Sequence, residues 1–125
     1  MEKWKKEKDM KRVLLVDDED AIREALSYIL ERCGVEVFTA ASGREALDKY
    51  EEFRPHAVLL DVHLPDISGI EVIRRFNESE HRSKVYFVSG NPEALGGSTV
   101  VDLGAQAFLL KPVDVGMLRE LIEWL

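Results

Sequence analysis

Ala57-Val58-Leu59-Leu60-Asp61-Val62-His63-Leu64-Pro65-Asp66-Ile67-Ser68-Gly69-Ile70-Glu71-Val72 is the stretch on which the reading of this chain turns. Its first four residues are a short apolar run, the pattern of a strand buried on both faces, and the run ends abruptly in a carboxylate. Pro65, Asp66, Ser68 and Gly69 then make a turn, after which apolar residues recur at helical spacing. Asp61 therefore stands at the lip of a strand. An ionised carboxylate left unpaired beside buried apolar surface is costly, so a cationic group is expected to meet it.

The same rhythm extends in both directions. Upstream, Arg12-Val-Leu-Leu-Val16 reads as a buried strand that stops at Asp17-Asp18-Glu19-Asp20. A helix follows with Ile22, Ala25, Leu26, Ile29 and Cys33 on one face and Gly34 past its end. Residues 35–39 read as a short strand, and Ser42-Gly-Arg-Glu45 has the spacing of a capping box for a helix that stops before Pro55. Downstream, Ser68-Gly-Ile-Glu71 repeats that spacing ahead of a helix expected to bury Ile70, Ile73 and Phe76. Lys84-Val-Tyr-Phe-Val88 is a fourth strand, ending at Ser89-Gly90-Asn91-Pro92.

Residues 93–103 follow helical rhythm but carry Gly96, Gly97, Ser98, Thr99, Val100 and Val101, so this helix is expected to be the weakest, partly melted or mobile. Ala107-Phe108-Leu109-Leu110 is a fifth strand ending at Lys111-Pro112, and Asp114 can cap a last helix with Met117, Leu118, Leu121, Ile122 and Leu125 inward. Strand and helix alternate five times. Short connections of this kind favour a parallel sheet with right-handed crossovers and helices on both faces.

Composition narrows the function classes. A chain of 125 residues, 46% hydrophobic and 33% charged, is the size and make-up of one globular domain that needs no staples. The formal net charge of −7 argues against general nucleic-acid binding by this domain. Its apolar runs are too short to span a bilayer, and the opening Met-Glu-Lys-Trp-Lys-Lys-Glu-Lys-Asp-Met lacks the apolar core of a signal peptide. That basic cluster, through Lys11 and Arg12, reads as a solvated arm. The single Cys33 fits a reducing cytoplasm and looks like a core filler, while His56 and His81 look like surface residues.

In open parallel sheets the ligand site lies beyond the carboxyl ends of the strands. Here those ends carry Asp17 and Asp18, then Asp61, then Ser89, then Lys111. Three carboxylates close together repel, so their coexistence points to a divalent cation, and Mg²⁺ best suits an all-oxygen set that also meets phosphate. Lys111 can pair with Asp61 when the site is empty and with a phosphoryl oxygen when it is filled; the Ser89 hydroxyl can donate to another oxygen. Together these groups suit nucleophilic attack of a carboxylate on phosphorus. Each motif alone has a bland reading as a helix cap or loop; the joint placement carries the inference.

Four segments, residues 13–20 (VLLVDDED), 59–73 (LLDVHLPDISGIEVI), 87–90 (FVSG) and 104–112 (GAQAFLLKP), closely resemble the receiver domain of two-component response regulators, over nearly the whole chain. Charge alone marks residues 1–10 as an arm, and the resemblance implies a receiver domain over 11–125. It implies a flavodoxin-like (βα)5 fold whose five-stranded parallel sheet has the order 2-1-3-4-5. It implies that Asp61 receives a phosphoryl group from a phosphohistidine of a sensor histidine kinase or phosphotransfer protein. Asp18, Asp61 and the backbone carbonyl of His63 would bind Mg²⁺, with Asp17 acting through water or from the outer shell. Ser89 and Lys111 would contact the phosphoryl oxygens, and Phe108 would be the aromatic switch partner of Ser89.

His63 and Asn91 fall where this family tunes the lifetime of its acyl phosphate, and the Lys111-Pro112 bond is expected to be cis. An output domain, a target protein or a phosphorylation-dependent dimer would receive the signal. Two other readings compete. An aspartyl phosphohydrolase is echoed faintly in Asp18-Glu-Asp20, and a binding module with lost phosphotransfer is opposed by the full set Asp17, Asp18, Asp61, Ser89 and Lys111.

Overall fold

The computed structural model describes residues 10–125, so the expected charged arm, with Trp4, lies outside the described residues apart from its last position. The elements are β1 (Arg12–Val16), α1 (Asp20–Arg32), β2 (Glu36–Ala40), α2 (Gly43–Phe53), β3 (Ala57–Asp61), α3 (Gly69–Glu78), β4 (Lys84–Ser89), α4 (Val100–Leu103), β5 (Ala107–Leu110) and α5 (Val115–Glu123). All strand pairs are parallel, in the order β2-β1-β3-β4-β5. This is the expected flavodoxin-like order.

The chain runs outward from β1 to β2, then returns and adds β3 on the other side of β1. With crossovers of one hand, that reversal sends helices to opposite faces. On one face α1 and α5 bring Leu26, Leu30, Leu118 and Leu121 onto Val13, Leu15, Leu59 and Val88. On the other, Ala46, Tyr50, Ile73, Phe76 and Leu103 cover Leu14, Val16, Val58, Leu60 and Phe87. Successive strand residues thus point into two apolar cores. That explains why the strands read as continuous apolar runs rather than as alternating patterns.

The helix starts follow the sequence closely. Ser42 Oγ accepts the Glu45 amide at 3.2 Å, while Glu45 Oε1 accepts the Ala41 amide at 2.6 Å, one residue upstream of the usual reciprocal partner. Ser68 caps α3 through the Glu71 amide, but Glu71 turns to Arg75 instead of closing a box. Asp114 Oδ2 accepts the Met117 amide at 3.0 Å. Asp66 adds a cap that the sequence did not announce: its two oxygens accept the Gly43 and Arg44 amides of α2 at 2.8 and 2.9 Å. A carboxylate there also complements the positive end of the helix.

The helix expected over residues 93–103 is partly melted, as its composition implies, and is reduced to α4, a single turn at Val100–Leu103. Ahead of it the chain makes tight turns closed by Ala94 to Asn91, Gly96 to Glu93 and Ser98 to Leu95 backbone bonds. Gly96, at φ +63°, takes a left-handed conformation that breaks helical continuity. Arg12 is not part of a solvated arm: it opens β1, and its guanidinium donates to the Phe53 and Arg54 carbonyls at the end of α2.

His56 and His81 are half-buried structural residues. The Arg12 amide donates to His56 Nδ1 at 2.9 Å, and His81 Nε2 meets the Pro55 carbonyl at 2.6 Å while its ring packs edge-on to Tyr50. Burial, helped by the charges of Arg12 and Lys11, holds the His56 pKa below its usual value. Met117 faces solvent, and Trp124 is also exposed.

The Arg44 and Gly43 amides hold the Asp66 pKa at about 2, below the usual 3.8. Ionised Asp66 therefore stabilises the fold fully above about pH 4, and that contribution is lost as the pH falls towards 2. The urea midpoint of Asp66→Asn should lie below that of the unsubstituted chain by a constant gap near neutrality. The gap should close as the medium is acidified below about pH 4.

Candidate functional site

Register brings the strand ends level. Val16 pairs with Leu60 across β1 and β3, so Asp17 follows on one strand and Asp61 on the other at the same height. Asp61 pairs with Val88 of β4, and Ser89 pairs with Leu110 of β5, which places Ser89 and Lys111 one residue beyond. The meeting point lies where the chain reverses direction between β1 and β3. Loops diverge there and leave a crevice at the carboxyl edge.

The Lys111 ammonium joins the acids. Its Nζ is 2.9 Å from Asp17 Oδ2, 3.2 Å from Asp61 Oδ2 and 3.7 Å from Glu19 Oε1. Asp17 and Asp61 are 2% and 4% exposed, so each would be an uncompensated buried charge without this cation. The remaining oxygens are held as well: Asp17 Oδ1 accepts the Glu19 amide at 2.9 Å and Asp61 Oδ1 the His63 amide at 3.0 Å.

Burial pushes the Asp61 carboxyl above its ordinary range; the His63 amide and Lys111 oppose this, and the Asp17 charge adds to it. Burial draws the Lys111 ammonium down, but its hydrogen bond to Asp17 and the charge of Asp61 prevail and hold its pKa above the usual value. Lysine is thus charged here, and Asp61 is an acid whose ionisation is resisted by its setting.

The other predicted residues take distinct places. Asp18 is exposed, with a carboxylate oxygen within 4.8 Å of those of Asp17 and Glu19. These donors are all hard oxygens on short connections, and the set fits a hard divalent cation rather than a thiophilic metal. Ser89 is fully buried; its Oγ accepts the Asn91 amide at 3.0 Å, and its carbonyl accepts the Lys111 amide at 2.8 Å. The side chain of His63 is exposed, and its amide serves Asp61. Phe108 is half-buried against the core on the α2–α4 face. The Lys111-Pro112 bond is cis, as the resemblance implies. Beside Lys111 opens an apolar groove of about 490 Å³, walled by Ile22, Ala25 and Ile29 of α1 and by Pro112 and Val113.

Two residues at this edge take roles that their sequence setting does not name. Glu19 stands in an acidic run, yet it is a third carboxylate facing Lys111. Gly69 has the setting of a turn residue; a Cβ there would lie 2.5 Å from the Asp61 carbonyl oxygen and 2.9 Å from Val62 Cα. Its amide donates to the Val62 carbonyl at 2.8 Å. Only glycine lets the start of α3 approach the acid-bearing strand so closely, and the Ser-Gly pair was the available signal.

A doubly wound parallel sheet with an acidic, lysine-bearing carboxyl edge is one class of α/β domain, and comparison with known proteins gives its family: residues 13–123 match the response regulator receiver domain. The chain belongs to that family, whose members are signalling switches of two-component systems. It is 37% identical over 102 residues to the alkaline phosphatase synthesis transcriptional regulatory protein PhoP of Bacillus subtilis, covering 82% of this chain and 42% of that one. The chain spans 40% to 46% of the length of the first curated transcriptional regulators it matches. A solved CheY-like receiver domain from Methanospirillum hungatei superimposes with a TM-score of 0.84 at 34% identity, covering 93% of both chains. The receiver domain of a Pseudomonas aeruginosa sensor histidine kinase, solved with a magnesium ion in its active-site cleft, has a TM-score of 0.81 at 25% identity over 92% of this chain and 96% of that one.

Because the Asp61 pKa is raised in the fold, its ionised form costs stability at neutral pH, and the cost is relieved as the pH falls through the raised value. Without divalent cations, Asp61→Asn should raise the urea midpoint at neutral pH, with a smaller gain in mild acid. Gly69→Ala should lower stability by about 1–3 kcal/mol in the same measurement, because the clash is with backbone that cannot move aside.

Proposed function

We propose that residues 11–125 form the phospho-accepting switch of a two-component phosphorelay and that Asp61 is its acceptor. The carrying observation is the state of that carboxylate: buried on a rigid strand end, resistant to ionisation, and bound to one lysine and one amide. An acid held this way can attack phosphorus once the negative charge around it is neutralised.

The donor is a phosphohistidine of a sensor histidine kinase or phosphotransfer protein. One Asp61 oxygen forms the new bond to phosphorus as the phosphorus–nitrogen bond breaks. The electron pair returns to the imidazole nitrogen, and because the ring's other nitrogen carries a proton taken from water before transfer, the ring leaves as neutral imidazole. Asp18, Asp61 and the His63 carbonyl would hold Mg²⁺, with Asp17 acting through water or from the outer shell; when bound, the ion supplies the charge that lets an anionic donor approach. Lys111 exchanges its carboxylate partners for a phosphoryl oxygen, and the Ser89 hydroxyl donates to another. The groove between α1 and Pro112-Val113 suits an apolar face of the donor protein, because it opens beside the ammonium.

Capture of Ser89 by the phosphoryl group frees space on the β5 side, and Phe108 turns inward. The phosphorylated packing gains population because it alone makes the new charge-assisted contacts. An output domain or target protein reads that packing in the cytoplasm; among the described residues no helix is long and apolar enough to cross a membrane. Slow autodephosphorylation of Asp61 resets the switch.

Acetyl phosphate with Mg²⁺ should place a hydroxylamine-labile phosphoryl group on the unsubstituted chain. Asp61→Asn should reduce that label to background, as read by intact mass, and full labelling of the variant would overturn the assignment.

A further inference from the structure

Glu19 occupies the N-cap of α1, at φ −88° and ψ 116°, yet its side chain makes no capping bond. The N-caps of the other four helices, Ser42, Ser68, Thr99 and Asp114, each accept an amide from the first turn. Short polar side chains do this well, and glutamate is too long for it. Glu19 reaches the other way: its Oε1 lies 3.7 Å from Lys111 Nζ, while its own amide holds Asp17 Oδ1 and leaves Asp17 Oδ2 to the lysine.

Three carboxylates therefore share one ammonium, and they differ in freedom. The side chains of Asp17 and Asp61 are 3% and 5% exposed and fixed at strand ends, whereas that of Glu19 is 62% exposed. A phosphoryl oxygen entering at Asp61 must draw Lys111 away from partners that include one exposed to solvent.

We infer that Glu19 is a positioning residue that competes with the incoming phosphoryl group for Lys111 and so sets how readily the lysine engages it. The inference rests on the reading of Asp61 as phospho-acceptor. An exposed ion pair is weak, so the effect is one of tuning, about two- to fivefold, rather than of gating.

The test compares labelling by acetyl phosphate at saturating Mg²⁺ in the unsubstituted chain, Glu19→Gln, Lys111→Ala and the double variant. Glu19→Gln should reach its half-maximal rate at about two- to fivefold lower donor concentration, with the maximal rate changed less. High salt should narrow the difference, because Glu19 is exposed to screening. Lys111→Ala should abolish it. An equal gain in the Lys111→Ala background would mean that Glu19 only repels an anionic donor, and would overturn the inference. In cation-free protein, the Lys111 ¹³Cε resonance should move on Glu19→Gln; an unmoved resonance overturns it too. Absence of Asp61-dependent labelling in the unsubstituted chain overturns both readings, whereas intact labelling with identical kinetics in Glu19→Gln overturns this one alone.

Discussion

The Lys111 ammonium, held between Asp17 and Asp61, is the contact on which the edge of this sheet depends. Two acids nearly sealed from water stand at the ends of β1 and β3, and each would be an uncompensated buried charge without a cation. The lysine follows the far edge strand, so its ion pairs tie the end of β5 to the ends of β1 and β3 beside the chain reversal. Because the ammonium is shared among carboxylates rather than locked to one, it is satisfied at rest and still available to another anion.

The scaffold around that contact is rigid where the acid sits. Two cores clamp β3 from both faces, and Leu59 and Leu60 are almost wholly buried, each contributing about 1.5–3 kcal/mol by removal from water. The loop after Asp61 is pinned at both ends. Asp66 ties it to the start of α2, and Gly69 seats α3 against the Asp61 carbonyl. Asp61 is thus aimed by packing and hydrogen bonds that involve no ligand. The His63 amide holds one carboxylate oxygen at 3.0 Å, and packing holds the strand end that carries it.

Across β4 the character changes. Apolar spacing over residues 93–103 would support a helix of several turns, but the glycine pair and the polar residues beside it leave only Val100–Leu103 helical. Tight turns replace the first part, with Ala94 and Leu95 still packed on the core. Here backbone preference prevails over the hydrophobic pattern, because one left-handed glycine is enough to interrupt the i to i−4 ladder. Ser89 and Phe108 border this region, so the residues proposed to switch sit beside the least regular helix, and the acid they answer to sits beside the most constrained loop.

Much of the architecture was legible from local patterns. Apolar runs ending in Asp17, Asp61, Ser89 and Lys111, together with the caps at Ser42, Ser68 and Asp114, mark the strands, the helix starts and the edge where the candidate site residues meet. These features are local: each depends on a few neighbouring residues and on chain periodicity. What only tertiary structure decided are relations between residues far apart in sequence. Asp66 caps a helix 22 residues away, Arg12 binds the end of α2, and His56 accepts a strand amide, so each carries a partner that no spacing rule names. Glu19 belongs with them. It looked like one acid in a run, and it became a partner of Lys111 because the strand order carries β5 to the same edge as β1, where an ammonium and an unspent carboxylate come within reach.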